Sequence, residues 1–156
     1  MIDQPEFLTL EDIYNYFESL ANRIELIASF SSGENEDMVQ GNGNEEMYPH
    51  FFLEQPFASV ENRTYEEYQI VFKIIDRIEK GYPQIKLISK CKCIAAIACR
   101  VIELDKKFEN PFNSISGINY LTTTESTDND CVFVRVEFTI RVNRWVEGCS
   151  IDQYLK

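Results

Sequence analysis

Apolar residues near the start of the chain recur every three or four positions, which is the spacing of one face of a helix. The residues on this face are Leu10, Ile13, Phe17, Leu20, Ile24 and Ile27. Thr9 precedes them and can act as the N-cap, because its hydroxyl oxygen can accept a hydrogen bond from a backbone N–H of the first turn. The spacing therefore predicts a first helix that begins after Thr9 and ends at the small residues Ser31–Gly33.

Two segments in the middle of the chain have the composition or the period of β-strands. Tyr48–Glu54 is rich in aromatic residues and is followed by Pro56, which limits the length of a strand. Across Tyr65–Arg77 the larger apolar residues alternate with their neighbours, and this period of two predicts a strand. A helix is the competing interpretation of the second segment, because three isoleucines are also four residues apart: Ile70, Ile74 and Ile78.

Gln84–Lys107 has the pattern of a second helix. At about 100° per residue, most of its apolar residues fall on one broad face, and the small ones among them allow close approach to a sheet. They are Leu87, Ile88, Cys91, Ile94, Ala95, Ala98, Cys99, Val101 and Ile102. The outer face of this helix combines three basic side chains with three uncharged ones: Lys86, Lys90, Arg100, Cys93, Ile97 and Leu104. A face that contacts only water is usually more polar than this.

The last third of the chain predicts two further strands. Ile115–Thr123 is the first, and a turn-forming stretch separates it from the second. The second has the clearest alternation in the chain, with one side formed by Val132, Val134, Val136, Phe138, Ile140 and Val142. The element order is therefore α-β-β-α-β-β. It predicts an α+β fold in which two helices pack on one face of a four-stranded, mainly antiparallel sheet.

Composition fits one domain that buries a core. The chain has 156 residues, of which 44% are hydrophobic and 26% are charged. We expect a single domain over residues 1–156, with an exposed acidic loop over 31–47 and a C-terminal extension over 145–156. No run of about 18 apolar residues occurs, so we expect no membrane-spanning helix.

Charge is distributed unevenly along the chain. Acidic residues outnumber basic ones 26 to 15, for a net charge of −11. This excess argues against a protein that binds nucleic acid by neutralising phosphates. Residues 1–79 contain 17 acidic and 4 basic side chains, whereas residues 80–156 contain 9 and 11. Two solvated faces of opposite sign are the simplest interpretation, and a surface that attracts a second copy head to tail is the alternative.

The residue types that carry chemistry occur in no recognisable catalytic or metal-binding pattern. The five cysteines lack the paired C-x2-C spacing of zinc sites, and Cys91 and Cys93 diverge by about 200° on a helix. His50 is the single histidine, and the sequence singles out no nucleophile or orienting partner for it. The acidic loop does not have EF-hand spacing, and no phosphate-binding glycine motif is present. The sequence therefore predicts no catalytic residue, cofactor or metal, and no enzyme.

The order of these segments resembles the tail-terminator-like or tail-completion proteins of tailed bacteriophages that infect Bacteroidetes. The similar stretches, between Thr9 and Trp145, are LTLEDIYNYFESLANRIELI, YPHFFLEQP, YQIVFKIIDR, CKCIAAIACRVIELD and CVFVRVEFTIRV. The resemblance rests on the order and the residue pattern of the segments, and this family has no catalytic residues to carry over. The long acidic loop departs from it.

The resemblance implies a structural virion protein, made in the host bacterial cytoplasm, that forms a ring at the head–tail junction. Its partners would be copies of itself and the portal or adjacent connector and tail proteins. DNA would pass through the lumen during ejection without specific binding, and no membrane would be involved. The ring could contain roughly six or roughly twelve copies, and it needs two different complementary surfaces on each subunit.

We expect the outer face of the second helix to supply one of these surfaces, through Lys86, Lys90, Ile97 and Arg100. The other would be acidic and would come from a neighbouring subunit or an adjacent ring protein. Its candidate residues are Glu34, Glu36, Asp37, Glu45 and Glu46. The alternative function is a small acidic interaction protein or DNA mimic that binds a host protein, which the net charge supports.

Overall fold

The computed structural model describes residues 10–34, 47–55, 57–61, 65–105, 114–123 and 131–143. These ranges form two helices and six strands. In chain order they are α1 (Leu10–Arg23), β1 (Ser29–Gly33), β2 (His50–Glu54), β3 (Ala58–Glu61), β4 (Tyr65–Arg77), α2 (Gln84–Leu104), β5 (Ser114–Thr123) and β6 (Cys131–Asn143).

The strands form one sheet in the order β1-β2-β4-β6-β5. β2 and β3 lie one after the other along the same edge of β4, so together they act as one interrupted strand. β1 pairs with β2 in parallel, and all other pairs are antiparallel. The longest pairing joins β4 to β6 from Tyr65↔Asn143 to Arg77↔Cys131, and this ladder forms the centre of the sheet.

Both helices pack on one face of this sheet. Phe17, in the middle of α1, has its ring centre 6.3 Å from Phe51 on β2, 6.4 Å from Phe72 on β4 and 6.2 Å from Phe138 on β6. All four side chains are at most 2% exposed. Phe17 therefore joins α1 to three neighbouring strands through an aromatic cluster, whose burial is a large hydrophobic contribution to stability.

The inner face of α2 consists largely of small and medium side chains. At most 3% of each is exposed, and they are Cys91, Ile94, Ala95, Ala98, Cys99 and Ile102. Because Ala and Cys side chains are short, the helix backbone can lie close to β4, β5 and β6, which it contacts. The helix ends at Leu104, before the predicted end at Lys107, and the backbone N–H of the capping residue Asp105 donates to the carbonyl oxygens of Val101 and Ile102.

The second face of the sheet carries a smaller apolar cluster and a buried cation. The cluster consists of Phe52, Ile75, Cys131 and Phe133. Lys73 lies beside it and is only 3% exposed. Its ammonium is 3.2 Å from Glu54 Oε1 and 4.8 Å from the centre of the Phe133 ring, and Arg135 Nε is 3.6 Å from the same Glu54 oxygen. Burial of the lysine is therefore compensated by a carboxylate and an aromatic ring.

The α+β class, the two helices on one face and the mainly antiparallel sheet are confirmed. Tyr65–Arg77 is a strand, so the helical interpretation of that segment is excluded. The four-stranded sheet and the α-β-β-α-β-β order are wrong, because the short strands β1 and β3 bring the number of strands to six.

The predicted end of the first helix at Ser31–Gly33 is also wrong. α1 ends at Arg23, and Ser31–Gly33 belongs to β1. The apolar spacing continues beyond the helix because a turn follows, in which the N–H of Ile27 donates to the carbonyl oxygen of Ile24 at 3.0 Å. Both isoleucines still pack on the core from this turn. Thr9, the predicted N-cap, most of the acidic loop and the C-terminal extension over 145–156 lie outside the described residues.

Candidate interaction surfaces

The outer side of α2 presents apolar side chains to solvent. Ile85 is 71% exposed, Leu104 is 61% exposed and Ile97 is 37% exposed. Cys93 is an exposed free thiol on the same side. Cys93, Ile97 and Leu104 are four and seven residues apart and form a group that is a candidate binding surface, whereas Ile85 lies about 18 Å from Ile97 near the start of the helix.

The three basic residues predicted for this surface differ in their partners. Lys86 is exposed and has no ion-pair partner among the residues that the structure describes. The Lys90 ammonium is 3.2 Å from Asp76 Oδ2 on β4, although its side chain is still 50% exposed. Arg100 Nη1 is 3.2 Å from Glu103 Oε2 one turn along, and both side chains are largely exposed, so this pair contributes little.

The charges of α2 oppose the dipole of the helix. Its first turn contains no acidic residue and its last turn contains no basic residue. Instead Lys86 lies in the first turn, at the positive end of the dipole, and Glu103 lies near the negative end. Each adverse charge costs about 0.3–1 kcal/mol. Departures of this kind from local preference are typical of functional surfaces.

The acidic residues predicted as the counterpart are only partly described. Glu34 is exposed and directly follows β1, at the edge of the sheet, whereas α2 contacts β4, β5 and β6. Glu36, Asp37, Glu45 and Glu46 lie outside the described residues. The structure therefore places Glu34 and the basic residues of α2 on different elements of the fold, and their pairing between subunits stays a prediction.

A second acidic surface, which the sequence analysis missed, lies on α1. Glu11 and Glu18 are exposed, seven residues apart and hence on one side of the helix. The Tyr14 hydroxyl bonds to the Glu18 carboxylate, which raises the pKa of Tyr14. This side of α1 is opposite its apolar face, so the spacing of the two glutamates in the sequence could have revealed the acidic surface.

A groove of about 300 Å³ adjoins the first turn of α1. It lies between that turn and the junction of β2 and β3, and its lining residues are Leu10, Glu11, Tyr14, Gln55 and Phe57. Leu10 is 54% exposed there. The groove is thus largely apolar and has a carboxylate at one side.

His50 is buried, at 2% exposure, between two serines of β1. Its Nδ1 is 2.6 Å from Ser29 Oγ, and its Nε2 is 2.6 Å from Ser31 Oγ. The Ser29 hydroxyl donates its proton to the carbonyl oxygen of Met47. Ser29 must therefore accept from Nδ1–H, and Nε2 must accept from the Ser31 hydroxyl.

This arrangement keeps the imidazole of His50 neutral. Burial lowers its pKa to about 4, well below the ordinary value of 6.5. A Ser–His contact is also found in hydrolases, but their general base works best with a pKa near the operating pH. The bonds of His50 instead join the parallel strand β1 to β2, which is a structural role.

The described cysteines are free thiols, of which Cys91, Cys99 and Cys131 are buried. Burial, together with the nearby carboxylate of Asp76, raises the pKa of Cys91 to about 12. No three His, Cys, Asp or Glu side chains converge as a metal site within the described ranges. Neither α1 nor α2 is both long and apolar enough to cross a membrane.

The chain matches no protein-family model. It also matches no curated protein. The surfaces of this structure and the resemblance in segment order are therefore the grounds for a functional proposal.

Proposed function

We propose that the chain is a structural virion protein that forms a ring at the head–tail junction of a tailed phage. It would lie between the portal and the tail as a connector or tail terminator. The observation that carries this proposal is the outer side of α2, where exposed apolar side chains lie among exposed bases. A polar-rimmed apolar patch of this kind is typical of a protein–protein interface.

The charge distribution supports assembly with copies of the same chain. The first half of the sequence is strongly acidic, and the base-rich helix α2 belongs to the second half. A ring in which each subunit contacts the next head to tail requires two different surfaces that complement each other. Single exposed ion pairs contribute only about 0–1 kcal/mol each, so the stability of a ring would come from the sum of many contacts around the closed assembly.

Net charge also supports a role around passing DNA. At −11, the chain as a whole repels the phosphate backbone, so a lumen formed by it would offer few fixed contacts. A clamp that holds DNA needs the opposite balance. The expected partners are the portal and the adjacent connector and tail proteins.

The test uses virions of the phage that encodes the chain. Quantitative mass spectrometry should find the protein in purified particles at a copy number comparable to that of the portal, and labelled antibody should mark the neck. Reversal of Lys86, Lys90 and Arg100 to Glu should strongly reduce incorporation. The matched control Lys86→Arg, Lys90→Arg and Arg100→Lys keeps the charges and should incorporate normally. Absence of the chain from virions would reject the proposal.

A small acidic interaction protein or DNA mimic is the second candidate. The net charge and the lack of any Lys or Arg between Arg23 and Arg63 favour it. This candidate predicts a monomer that is absent from virions and that competes with DNA for a host DNA-binding protein. The same virion measurement therefore separates the two functions.

A further inference from the structure

We infer that neighbouring copies of this chain dock head to tail, with Tyr82 and Ile85 of one copy inserted into the groove beside α1 of the next. This inference rests on the proposed ring and specifies its contact. We call Tyr82, Ile85, Lys86 and Lys92 the knob. We call Leu10, Glu11, Tyr14, Gln55 and Phe57 the groove.

The knob is an apolar projection held in a fixed position. Tyr82 is 45% exposed and Ile85 is 71% exposed. Gly81 precedes them with φ of 87°, a conformation that favours glycine, and the Tyr82 N–H donates to the carbonyl oxygen of Glu79 at 3.1 Å. The turn therefore presents both side chains without the entropy cost of ordering a flexible loop.

The two lysines of the knob lack acidic partners in the part of the chain that the structure describes. Lys86 and Lys92 are exposed, and Lys86 lies in the first turn of α2, at the positive end of its dipole. No acidic residue occurs between Lys80 and Ile102 to offset them in sequence. The knob is thus an apolar centre with an uncompensated positive rim.

The groove has the complementary properties. It offers about 300 Å³ between α1 and the β2–β3 junction, and most of its lining is apolar. Glu11 lies on its wall, and Glu18 lies about two turns further along the same side of α1. Over its whole length α1 contains three acidic residues, Glu11, Asp12 and Glu18, and one basic residue, Arg23.

A second copy of the chain fits these surfaces better than DNA does. Exposed Ile85 and Tyr82 favour an apolar protein groove, whereas phosphates would contact only the lysines. Knob and groove share no residue, so both can be used on one subunit at the same time. Such a heterologous contact closes into a ring or continues as a filament.

The experiment compares two charge-reversed variants alone and mixed. The knob variant carries Lys86→Glu and Lys92→Glu, and the groove variant carries Glu11→Lys and Glu18→Lys. Circular dichroism first confirms that each variant is folded. Sedimentation then gives the concentration at which half of the chain is assembled, and each variant alone should require at least about tenfold more protein than the unchanged chain.

Mixing the two variants should restore assembly to within about threefold of the unchanged chain. The reversed knob of one variant then meets the reversed groove of the other, and the two unaltered surfaces also match. A same-chain combination of all four substitutions should assemble as well. Ile85→Glu should prevent assembly, while Leu26→Glu, at a residue 52% exposed outside both surfaces, should not.

A photo-crosslinker in place of Ile85 identifies the occupant of the groove. In a mixture of ¹⁴N- and ¹⁵N-labelled chains, the adduct should join Ile85 of one isotope to residues 10–14 or 57 of the other. Adducts within one chain, or to a different virion protein, would overturn the inference. If the unchanged chain forms rings and the reversals leave assembly unaltered, the docking mode is wrong and the ring remains. If the unchanged chain neither assembles nor enters virions, the proposed function fails as well.

Discussion

Arg23 at the end of α1 and Asp105 at the end of α2 form an ion pair, with Nη1 and Oδ2 2.8 Å apart. The same carboxylate oxygen accepts a hydrogen bond from the Tyr16 hydroxyl, also at 2.8 Å. Asp105 lies at the negative end of the α2 dipole, where a carboxylate is otherwise unfavourable. The two donors from α1 offset this cost, so the contact fixes where α1 lies against the C-terminal end of α2.

Two substitutions of Asp105 should separate its hydrogen bond with Tyr16 from its negative charge at the end of α2. Asp105→Ala should lower the free energy of unfolding by about 1–2 kcal/mol, because the part-buried Tyr16 hydroxyl loses this acceptor. Asp105→Asn should cost less than half as much, since the amide oxygen still accepts while the charge at the helix end is gone. Urea denaturation measures both. Equal losses for the two substitutions would contradict the dominant role of the Tyr16 bond.

Phe17 should be among the most sensitive positions of the core. Phe17→Ala removes the ring that contacts Phe51, Phe72 and Phe138, and it should cost about 3–5 kcal/mol. Leu10→Ala on the same helix is the control and should cost under about 1 kcal/mol, because Leu10 is 54% exposed. A small effect at Phe17 would show that α1 does not pack on this face of the sheet.

His50 should make the stability depend on pH. Its pKa is about 4 in the folded chain and about 6.5 when unfolded, so below pH 6.5 the unfolded chain binds a proton that the folded chain does not. Stability is unaffected by this group above pH 6.5 and falls as the pH drops towards 4. The expected loss between pH 7.5 and pH 5 is about 2 kcal/mol.

The matched variant for this prediction is His50→Gln, which can hydrogen-bond but cannot titrate in this range. Urea denaturation at pH 7.5 and at pH 5 gives the free energy of unfolding of each chain. Between these pH values it should change by about 2 kcal/mol less in the variant than in the unaltered chain. The readout is the difference between the two chains in this pH-dependent change, so a general loss of stability in the variant does not obscure it. An equal pH-dependent change in both chains would show that His50 is not buried as a neutral group.

Lys73 and Glu54 form an ion pair, and substitution of Glu54 should cost more stability than substitution of Lys73. Glu54→Ala removes the carboxylate beside a lysine that is 3% exposed, and it should cost about 2–4 kcal/mol. Lys73→Met should be close to neutral, because its apolar side chain suits the adjoining Phe133 ring and Glu54 keeps Arg135 at 3.6 Å. Thermal unfolding of both variants gives the comparison, and a larger loss for Lys73→Met would contradict it.

The long elements were predictable because their local patterns agree with their tertiary positions. The alternation in β6 matches burial from Val134 to Ile140, and the apolar face of α2 is the one that packs on the sheet. For β4 the period of two gave the correct prediction although Ile70, Ile74 and Ile78 also fit a helix. Pairing with β6 over the whole of β4 favours the extended form.

The short strand β1 could not be predicted, since its partner β2, which stabilises it, is distant in sequence. β1 contains Phe30 as its only large apolar residue, and its register pairs Ser29 with His50, 21 residues away. The serine–histidine bonds that fix β1 have no local sequence pattern. The groove is likewise non-local, because it combines the first turn of α1 with Gln55 and Phe57. The acids of α1, in contrast, could have been found from the helical period.

Cryo-electron microscopy of the virion neck, together with the purified assembled chain, tests the central claim most directly. We predict a closed ring of this fold between portal and tail, with the outer side of α2 in the contact between one subunit and its neighbour. Lys86 and Ile85 should lie within contact distance of the adjacent subunit. A neck in which no density fits this fold, with the purified chain monomeric at every concentration, would contradict the account.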